Sequence, residues 1–425
     1  MRPDRHIAII GGGQAAARTI AALRDGGYEG RTTLIGEEPD LPYERPPLSK
    51  DALCSGASAS VPPMFDSAWY QERQVELRLG SRVEAIDAGS GRITLAMGSS
   101  LQADRIVLAT GVRARRMTIP GVSDDRVLGL RSLADARRLR AALEAGRRVL
   151  ILGGGFIGLE VAASAVRLGC QVTVVEARGR LLERAVSATT SALVSRLHGA
   201  HGVVVKRGCQ VVSARQGHDE IEVVLSDGST CVVDLIVAGV GAQANDELAR
   251  AAGLRCGNGV EVDRHCRTDA ERVWAVGDIA CRRHDSWGAP VRIESWDNAE
   301  WQAAIAGGSL ARSWSRESRL EPGADLPAWF WTDQYDLNLQ ILGEVTDADR
   351  TVTRPGRKEG ESMAFHFRAG VLRGIELIAC GRERVPARRL LQQGWSRPPE
   401  MLGDTGLSLK ELSAMAREPV TPIHE

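Results

Sequence analysis

Two stretches of the chain pass through the same sequence of apolar and polar patterns. Residues 6–38, HIAIIGGGQAAARTIAALRDGGYEGRTTLIGEE, begin as a short apolar run and turn through glycines into a stretch with apolar positions at helical spacing. A second apolar run follows, closed by Glu37. Residues 148–176, RVLILGGGFIGLEVAASAVRLGCQVTVVE, repeat that plan and close on Glu176. Strand, glycine turn, helix, strand is the order of a βαβ unit. Two such units in one chain predict two dinucleotide sites.

Period-two patterns with turn punctuation lie around these units. Residues 83–111 read as strand, turn, strand and buried strand, ending in the ATG of 109–111. Residues 222–241 repeat this, with Asp227-Gly228 as a hairpin turn and AGVG at 238–241 as the close. An arginine-rich stretch, 113–148, joins the halves. The apolar run RVWAVGDIA (272–280) predicts a strand returning to the first domain, and RIESWDNAEWQAAIAG (292–307) an alanine-rich helix beginning near Trp296. From about residue 326 the pattern changes to strands followed by a helix, RERVPARRLLQQGW, while the terminal REPVTPIHE is expected to be poorly ordered. Residues 183–201 carry no pattern that assigns an element.

The expected fold is α/β, with two Rossmann-type dinucleotide-binding domains, 1–115 with 243–325 and 116–242, and an α+β C-terminal domain, 326–425.

Composition narrows the function classes. A chain of 425 residues is too long for one ordinary core. Lys+Arg and Asp+Glu balance at 54 each, which weighs against nucleic-acid binding and leaves only local patches to dock a partner. No apolar run reaches the roughly 18 residues of a membrane span, and the N-terminal apolar run is too short for a signal segment, so a cytoplasmic protein is expected. The eight cysteines show no CxxC or CxxxxC spacing, which argues against a zinc site, a ligated cluster and a redox dithiol; no metal is expected.

Chemistry enters at the glycine turns. In Gly11-x-Gly13-x-x-Ala16 the first glycine permits the tight turn, the second admits a pyrophosphate, and Ala16 keeps helix and sheet close. Glu37 is placed to bind ribose hydroxyls. In Gly153-x-Gly155-x-x-Gly158, which includes Phe156 and Ile157, Glu176 would hold the 2′-hydroxyl of NAD and repel a 2′-phosphate. Arg178 and Arg180 follow closely and have the charge to recruit that phosphate, so NADH is expected from Glu176 while NADPH stays open as the alternative. The loop LPYERPPLSK (41–50), stiffened by proline, carries Arg45 and Lys50, although an exposed loop lysine is the commoner fate on residue type alone. Gly277-Asp278 ends an apolar strand where Asp278 can meet ribityl hydroxyls, or simply close a turn.

Taken in order, GGGQAA, LIGEE, YERPPLSK, LATG, LRSLADA, GGGFIGLEVAA, VVE, VAGVG, VWAVGD, RIESWDNA and WFWTDQ cover nearly the whole chain. The sequence resembles the FAD- and NAD-dependent ferredoxin reductases of bacterial oxygenase systems, the putidaredoxin-reductase and biphenyl-dioxygenase-reductase type; RPPLSK and FWTDQ are the most specific matches. The resemblance implies a glutathione-reductase-like fold in which 1–115 and 243–325 bind FAD, 116–242 binds NAD and 326–425 is an interface domain. It implies FAD held by Gly11, Gly13, Ala16, Glu37, Arg45, Lys50, Val83, Ala109, Thr110, Gly111, Arg131, Gly277, Asp278 and Trp296. It implies NAD(H) held by Gly153, Gly155, Phe156, Ile157, Gly158, Glu160, Glu176 and Gly241. Lys50 and Glu160 would meet near the nicotinamide and flavin rings, positioning them for hydride transfer. Electrons would then pass singly to a [2Fe-2S] ferredoxin serving a Rieske-type oxygenase or a cytochrome P450, with the reductase a monomer or weak dimer. Ala16 departs from the family glycine in that region.

Other readings compete. Thiol-dependent relatives need a cysteine beside the flavin, and Cys54 lies beyond the YERPPLSK loop. A same-fold reductase with another acceptor (rubredoxin, quinone, monodehydroascorbate) and an NADH-binding redox-sensing protein remain alternatives. Six of nine tryptophans, at 287, 296, 301, 314, 329 and 331, fall within 45 residues, most simply as packing between domains. Arg282, Arg283, Arg382 and Arg384 are the candidates for ferredoxin docking.

Overall fold

In the computed structural model, residues 5–56, 58–283, 289–312 and 325–416 are described. Trp287, Trp314 and the terminal 417–425 lie outside them. The chain forms two units. The first comprises Met1–Arg45, Val61–Arg113 and Ala242–Asp325; the second comprises Pro46–Ser60, Ala114–Gly241 and Leu326–Glu425. Residues 46–60, Lys50 among them, thus group with the second unit.

The first unit is built on a five-stranded parallel sheet, ordered Val273–Ala275, Arg105–Leu108, His6–Ile10, Arg31–Ile35, Val75–Arg78. Alternate side chains of the central strand serve two cores. Ile7 and Ile9 pack with Ile20, Leu23 and Leu310 of the helices Gln14–Asp25 and Trp296–Arg312. Ala8 and Ile10 pack with Ile86, Ile93 and Leu95 of an antiparallel meander over residues 83–102. Burial on both faces is why His6–Ile10 reads as a continuous apolar run. The two helices approach closely through small residues: a methyl group on Gly307 would lie 2.5 Å from Ala22 Cβ, and one on Gly26 would lie 2.8 Å from Ala311 Cβ.

The second unit repeats the plan. Its parallel sheet is ordered Val204–Arg207, Gln171–Glu176, Arg148–Leu152, Leu235–Ala238, Val127–Leu128. The meander Val211–Gln216, Ile221–Leu225, Thr230–Val233 contributes Ile221, Val223 and Val233 to a core with Leu150, Leu152 and Ile236. A five-stranded antiparallel sheet follows, ordered Trp329–Gln334, Leu337–Gly343, Val371–Ile378, Ser362–Arg368, Arg350–Pro355, and then the helix Arg384–Gln393.

The unassigned stretch 183–201 contains a helix, Ala188–Ala200, capped by the Ser187 hydroxyl accepting from Thr190 N–H. Its buried face is Thr190, Ser191, Val194 and His198. Three of those four are polar, so the spacing is helical while the hydrophobic signal is missing. Ser191 Oγ donates to the Leu181 carbonyl at 2.6 Å, and the antiparallel sheet satisfies Thr190 and His198. Glu376, fully buried, accepts from Ser187 N–H at 2.8 Å, from the hydroxyls of Ser187 and Thr190 at 2.7 and 2.9 Å, and from His366 Nε2 at 3.0 Å. Burial pushes the Glu376 carboxyl up, but the bonds from His366 and Ser187 outweigh it and hold the group below its ordinary value.

Candidate functional site

The first glycine turn lies at the C-terminal end of His6–Ile10. Gly11 has φ +126°, and a Cβ there would meet the Ala109 carbonyl oxygen at 2.1 Å, so no other residue fits. Gly13 caps the helix Gln14–Asp25, and a Cβ on it would point into open space. No side chain caps this helix and no acidic residue occupies its first turn. Several predicted residues converge here. Gly277 faces Ala15, the Trp296 carbonyl accepts from Gln14 Nε2 at 3.2 Å, and Trp296 Nε1 donates to Glu44 at 3.2 Å. Arg45 Nη2 pairs with Glu38 at 2.9 Å, and the anions of Glu38 and Asp278 help to raise its pKa against the cost of burial. Val83 packs into the core containing Ile10 and Ile35 at the strand ends. Thr110 is locked by reciprocal bonds with Asn245, 2.9 and 2.8 Å, and Gly111 has φ +62°. Glu37 is exposed, 3.7 Å from Arg82.

The second turn is tighter. A Cβ on Gly153 would meet Gly239 O at 2.5 Å, and one on Gly158 would meet Gly153 O at 2.1 Å. Gly155 caps Phe156–Arg167, again with no side-chain cap. By contrast Ser132, Ser187 and Ser408 each cap their own helix. Both glycine helices therefore offer unclaimed backbone N–H groups and the positive end of a dipole where a pyrophosphate would sit, and the residues present fit a dinucleotide in each unit. Glu176 accepts from Gly154 N–H at 2.6 Å and from Arg178 N–H at 2.7 Å. Arg178 pairs with Glu183 at 3.1 Å, while Arg180 is tied to the carbonyls of Val186 and Glu183 at 2.7 and 2.8 Å. Neither guanidinium is held ready for a 2′-phosphate. Ile157 is 46% exposed in the first helical turn, and Phe156 lies parallel to Phe330 with centroids 6.5 Å apart. Gly241 has φ +103° just after the strand Leu235–Ala238.

Lys50 and Glu160 do meet. Lys50 Nζ is 3.1 Å from Glu160 Oε1, and 3.9 Å from Asp333 Oδ2. Glu160 is 3% exposed and fully engaged: Thr332 Oγ1 donates to Oε1 at 2.7 Å and the Ser49 hydroxyl donates to Oε2. The Ser49 carbonyl accepts in turn from Ser164 Oγ at 2.7 Å, fixing the loop to the glycine helix. A stack of cations and indoles flanks the pair: Arg384 over Trp329 at 4.2 Å, Trp329 against Trp331 at 4.7 Å, and Lys50 5.9 Å from the Trp331 ring. Ser49 and Thr332 belong to the sequence motifs RPPLSK and FWTDQ, yet nothing beyond their place in those motifs marked them as site residues. The Arg131 N–H is bonded to Asp135 Oδ2 at 3.1 Å, in the cap of Leu133–Ala142.

The arginine candidates divide. Arg282 is 7% exposed, paired with Asp325 and 4.5 Å from the Trp301 ring, so it is not available as a docking residue. Arg382 pairs with Glu361, Arg384 covers Trp329, and Arg283 is exposed. All eight cysteines are free. Among the described residues no cluster of His, Cys, Asp and Glu could hold a metal, and no helix is long and apolar enough to cross a membrane.

Two duplicated parallel-sheet folds with glycine turns, one of them beside a buried Lys–Glu pair, define a two-dinucleotide oxidoreductase. Residues 5–303 match the pyridine nucleotide-disulphide oxidoreductase family and 329–413 the reductase C-terminal family, and the chain belongs to the former. It is 40% identical over 405 residues to the anthranilate 1,2-dioxygenase system ferredoxin–NAD(+) reductase component of Burkholderia cepacia, covering 95% of this chain and 98% of that relative. It is 35% identical to rhodocoxin reductase of Rhodococcus erythropolis, covering 95% and 93%. Among solved structures, the covalent putidaredoxin reductase–putidaredoxin complex superposes with TM-score 0.91 at 31% identity, covering 98% of this chain and all of that one. The ferredoxin reductase for the CYP199A2 system of Rhodopseudomonas palustris does so with TM-score 0.90 at 35% identity, covering 96% and 100%.

Proposed function

We propose that this chain is a ferredoxin–NAD(+) reductase: it oxidises NADH through FAD and passes single electrons to a [2Fe-2S] ferredoxin of an oxygenase system. The observation that carries this reading is the pair of uncapped glycine-turn helices in a chain whose cysteines have no CxxC or CxxxxC spacing. Such a protein binds two dinucleotides and has no thiol relay, so electrons from the nicotinamide must leave through the flavin. The flavin supplies the conversion of a two-electron delivery into one-electron exits.

The chain's own residues bind and orient. Gly11, Gly13, Ala16, Glu37, Arg45, Lys50, Val83, Ala109, Thr110, Gly111, Arg131, Gly277, Asp278 and Trp296 are the residues assigned to FAD. Gly153, Gly155, Phe156, Ile157, Gly158, Glu176 and Gly241 supply the NAD site. Lys50 and Glu160, held as an ion pair, keep the nicotinamide in register rather than exchanging protons with it. The tethering of Arg180 and the pairing of Arg178 support NADH over NADPH. The relatives include dioxygenase-system components and a structure from a P450 system by name, which supports an oxygenase of either kind downstream. Free thiols fit a reducing compartment and so support a cytoplasmic location for this monomer or weak dimer.

Anaerobic titration of the purified flavoprotein tests the reading. NADH should bleach the flavin band stoichiometrically, and ferredoxin should then restore it in one-electron steps. A colourless protein that takes up no FAD, or turnover only with disulfide substrates, would overturn it.

A further inference from the structure

The Lys50–Glu160 pair has a continuation that its role in orienting the nicotinamide does not use. Thr332 Oγ1, which donates to Glu160, accepts from Gln334 Nε2 at 3.0 Å. Gln334 Oε1 lies 2.8 Å from His198 Nε2, and His198 Nδ1 lies 3.4 Å from Tyr335 Oη. Ser49, Glu160, Thr332, Gln334 and His198 are all buried, His198 completely. The column runs from the Lys–Glu pair through alternate residues of the strand Trp329–Gln334 to the helix Ala188–Ala200.

Its polarity is dictated from one end. An ionised carboxylate can only accept, so the Thr332 hydroxyl must donate to Glu160. The Thr332 oxygen must then accept, so Gln334 presents its NH2 to it and its oxygen to His198. That oxygen requires a proton on His198 Nε2, which leaves Nδ1 to accept from Tyr335. For a neutral imidazole, no other tautomer and no flip of the amide satisfies every buried group. Burial also lowers the His198 pKa, favouring the neutral ring that this arrangement needs. The column is not a proton wire: an amide N–H cannot be handed on as a hydroxyl proton can, so Gln334 interrupts any relay.

We propose that Thr332, Gln334 and His198 are positioning residues for hydride transfer, a buried hydrogen-bonded column that fixes the orientation of Glu160 and through it of Lys50. This rests on the role given above to the Lys50–Glu160 pair. The two residues nearest the chemistry lie on a proline-stiffened loop and a helix, and the column ties them to a third element and a fourth. A donor lost to a buried carboxylate is a charge-assisted bond lost, so the effect of breaking it is expected to be large.

Two measurements test the proposal. In the FAD-free and FAD-loaded protein, nitrogen NMR of 15N-histidine-labelled chains should show His198 as the neutral Nε2–H tautomer; an Nδ1–H tautomer or a charged ring at pH 7.5 overturns the column whatever the variants do. In stopped-flow reduction by NADH, Thr332→Val and Gln334→Met should lower the limiting rate of flavin reduction by about tenfold or more, with the NADH dissociation constant changed less than about twofold. Thr332→Ser, which keeps the hydroxyl, should restore the rate, and Thr332→Val should release the tautomer preference of His198. Wild-type reduction rates in Thr332→Val and Gln334→Met, alongside a slow Glu160→Gln, would sink the column alone. A Glu160→Gln protein reduced as fast as wild type would sink the role of the ion pair and the column with it.

Discussion

At position 158 a methyl group has nowhere to go: it would overlap the carbonyl oxygen of Gly153, a backbone atom that cannot swing aside. The equivalent place in the first unit is Ala16, fully buried, so there the helix stands far enough from the turn to admit a Cβ. Gly158→Ala should therefore weaken NADH binding by about tenfold or more while leaving FAD content at the wild-type level, measured by NADH titration and by flavin absorbance. Glu176 is a second such point. Its carboxylate is already oriented by Gly154 and Arg178 N–H groups, where it meets a 2′-hydroxyl and repels a 2′-phosphate. Glu176→Ala should narrow the preference of kcat/KM for NADH over NADPH by about tenfold; unchanged selectivity would mean that another residue sets it. These residues were legible in the sequence because glycine spacing and a strand-ending acid are local signals. Ser49 and Thr332 were not, because their importance is created by where the fold puts Glu160. Arg282 misled for the same reason: charge is visible in a sequence, and its burial against Asp325 and Trp301 is not.

The helix Ala188–Ala200 shows the same limit one level up. Hydrophobic periodicity finds helices that bury apolar faces, and this one buries Thr190, Ser191 and His198 against polar partners. Its N-terminus is held by Glu376 through Ser187 and Thr190, a carboxylate 189 residues away from the cap. The pH dependence follows from the direction of the shift. A carboxyl held below its ordinary 4.5 contributes stability above that value and loses it as pH falls through the folded value. Glu376→Gln sets amide protons against donors, and should cost about 3 kcal/mol near pH 7. That deficit should shrink as pH falls below about 4.5, because the wild type then loses the same interaction; denaturant melts of both proteins at pH 7 and pH 4 measure it. A constant difference across that range would show that the carboxylate charge is not what caps the helix. The two βαβ units and both meanders, by contrast, were readable as elements, since their strands bury apolar side chains and their turns carry glycine.

For the molecule as a whole, the sequence order already held the duplicated plan, and the later apolar run at 272–280 was readable as a strand of the first sheet. Pairing of Val273–Ala275 with Arg105–Leu108 realises that expectation. The free thiols bear on how electrons cross the protein. Cys54 lies only four residues from Lys50, yet it has no part in the proposed cycle, so Cys54→Ser should keep NADH-to-ferredoxin turnover within about twofold of wild type. Loss of turnover with flavin retained would reopen a thiol route. The close seating of the helix Gln14–Asp25 on Trp296–Arg312, through Ala22, Gly26, Gly307 and Ala311, has a consequence for biosynthesis. A nascent chain emerging from the ribosome presents the first of these helices nearly three hundred residues before its partner, so the N-terminal domain must wait, with its apolar helix face bare, while the next βαβ domain is made.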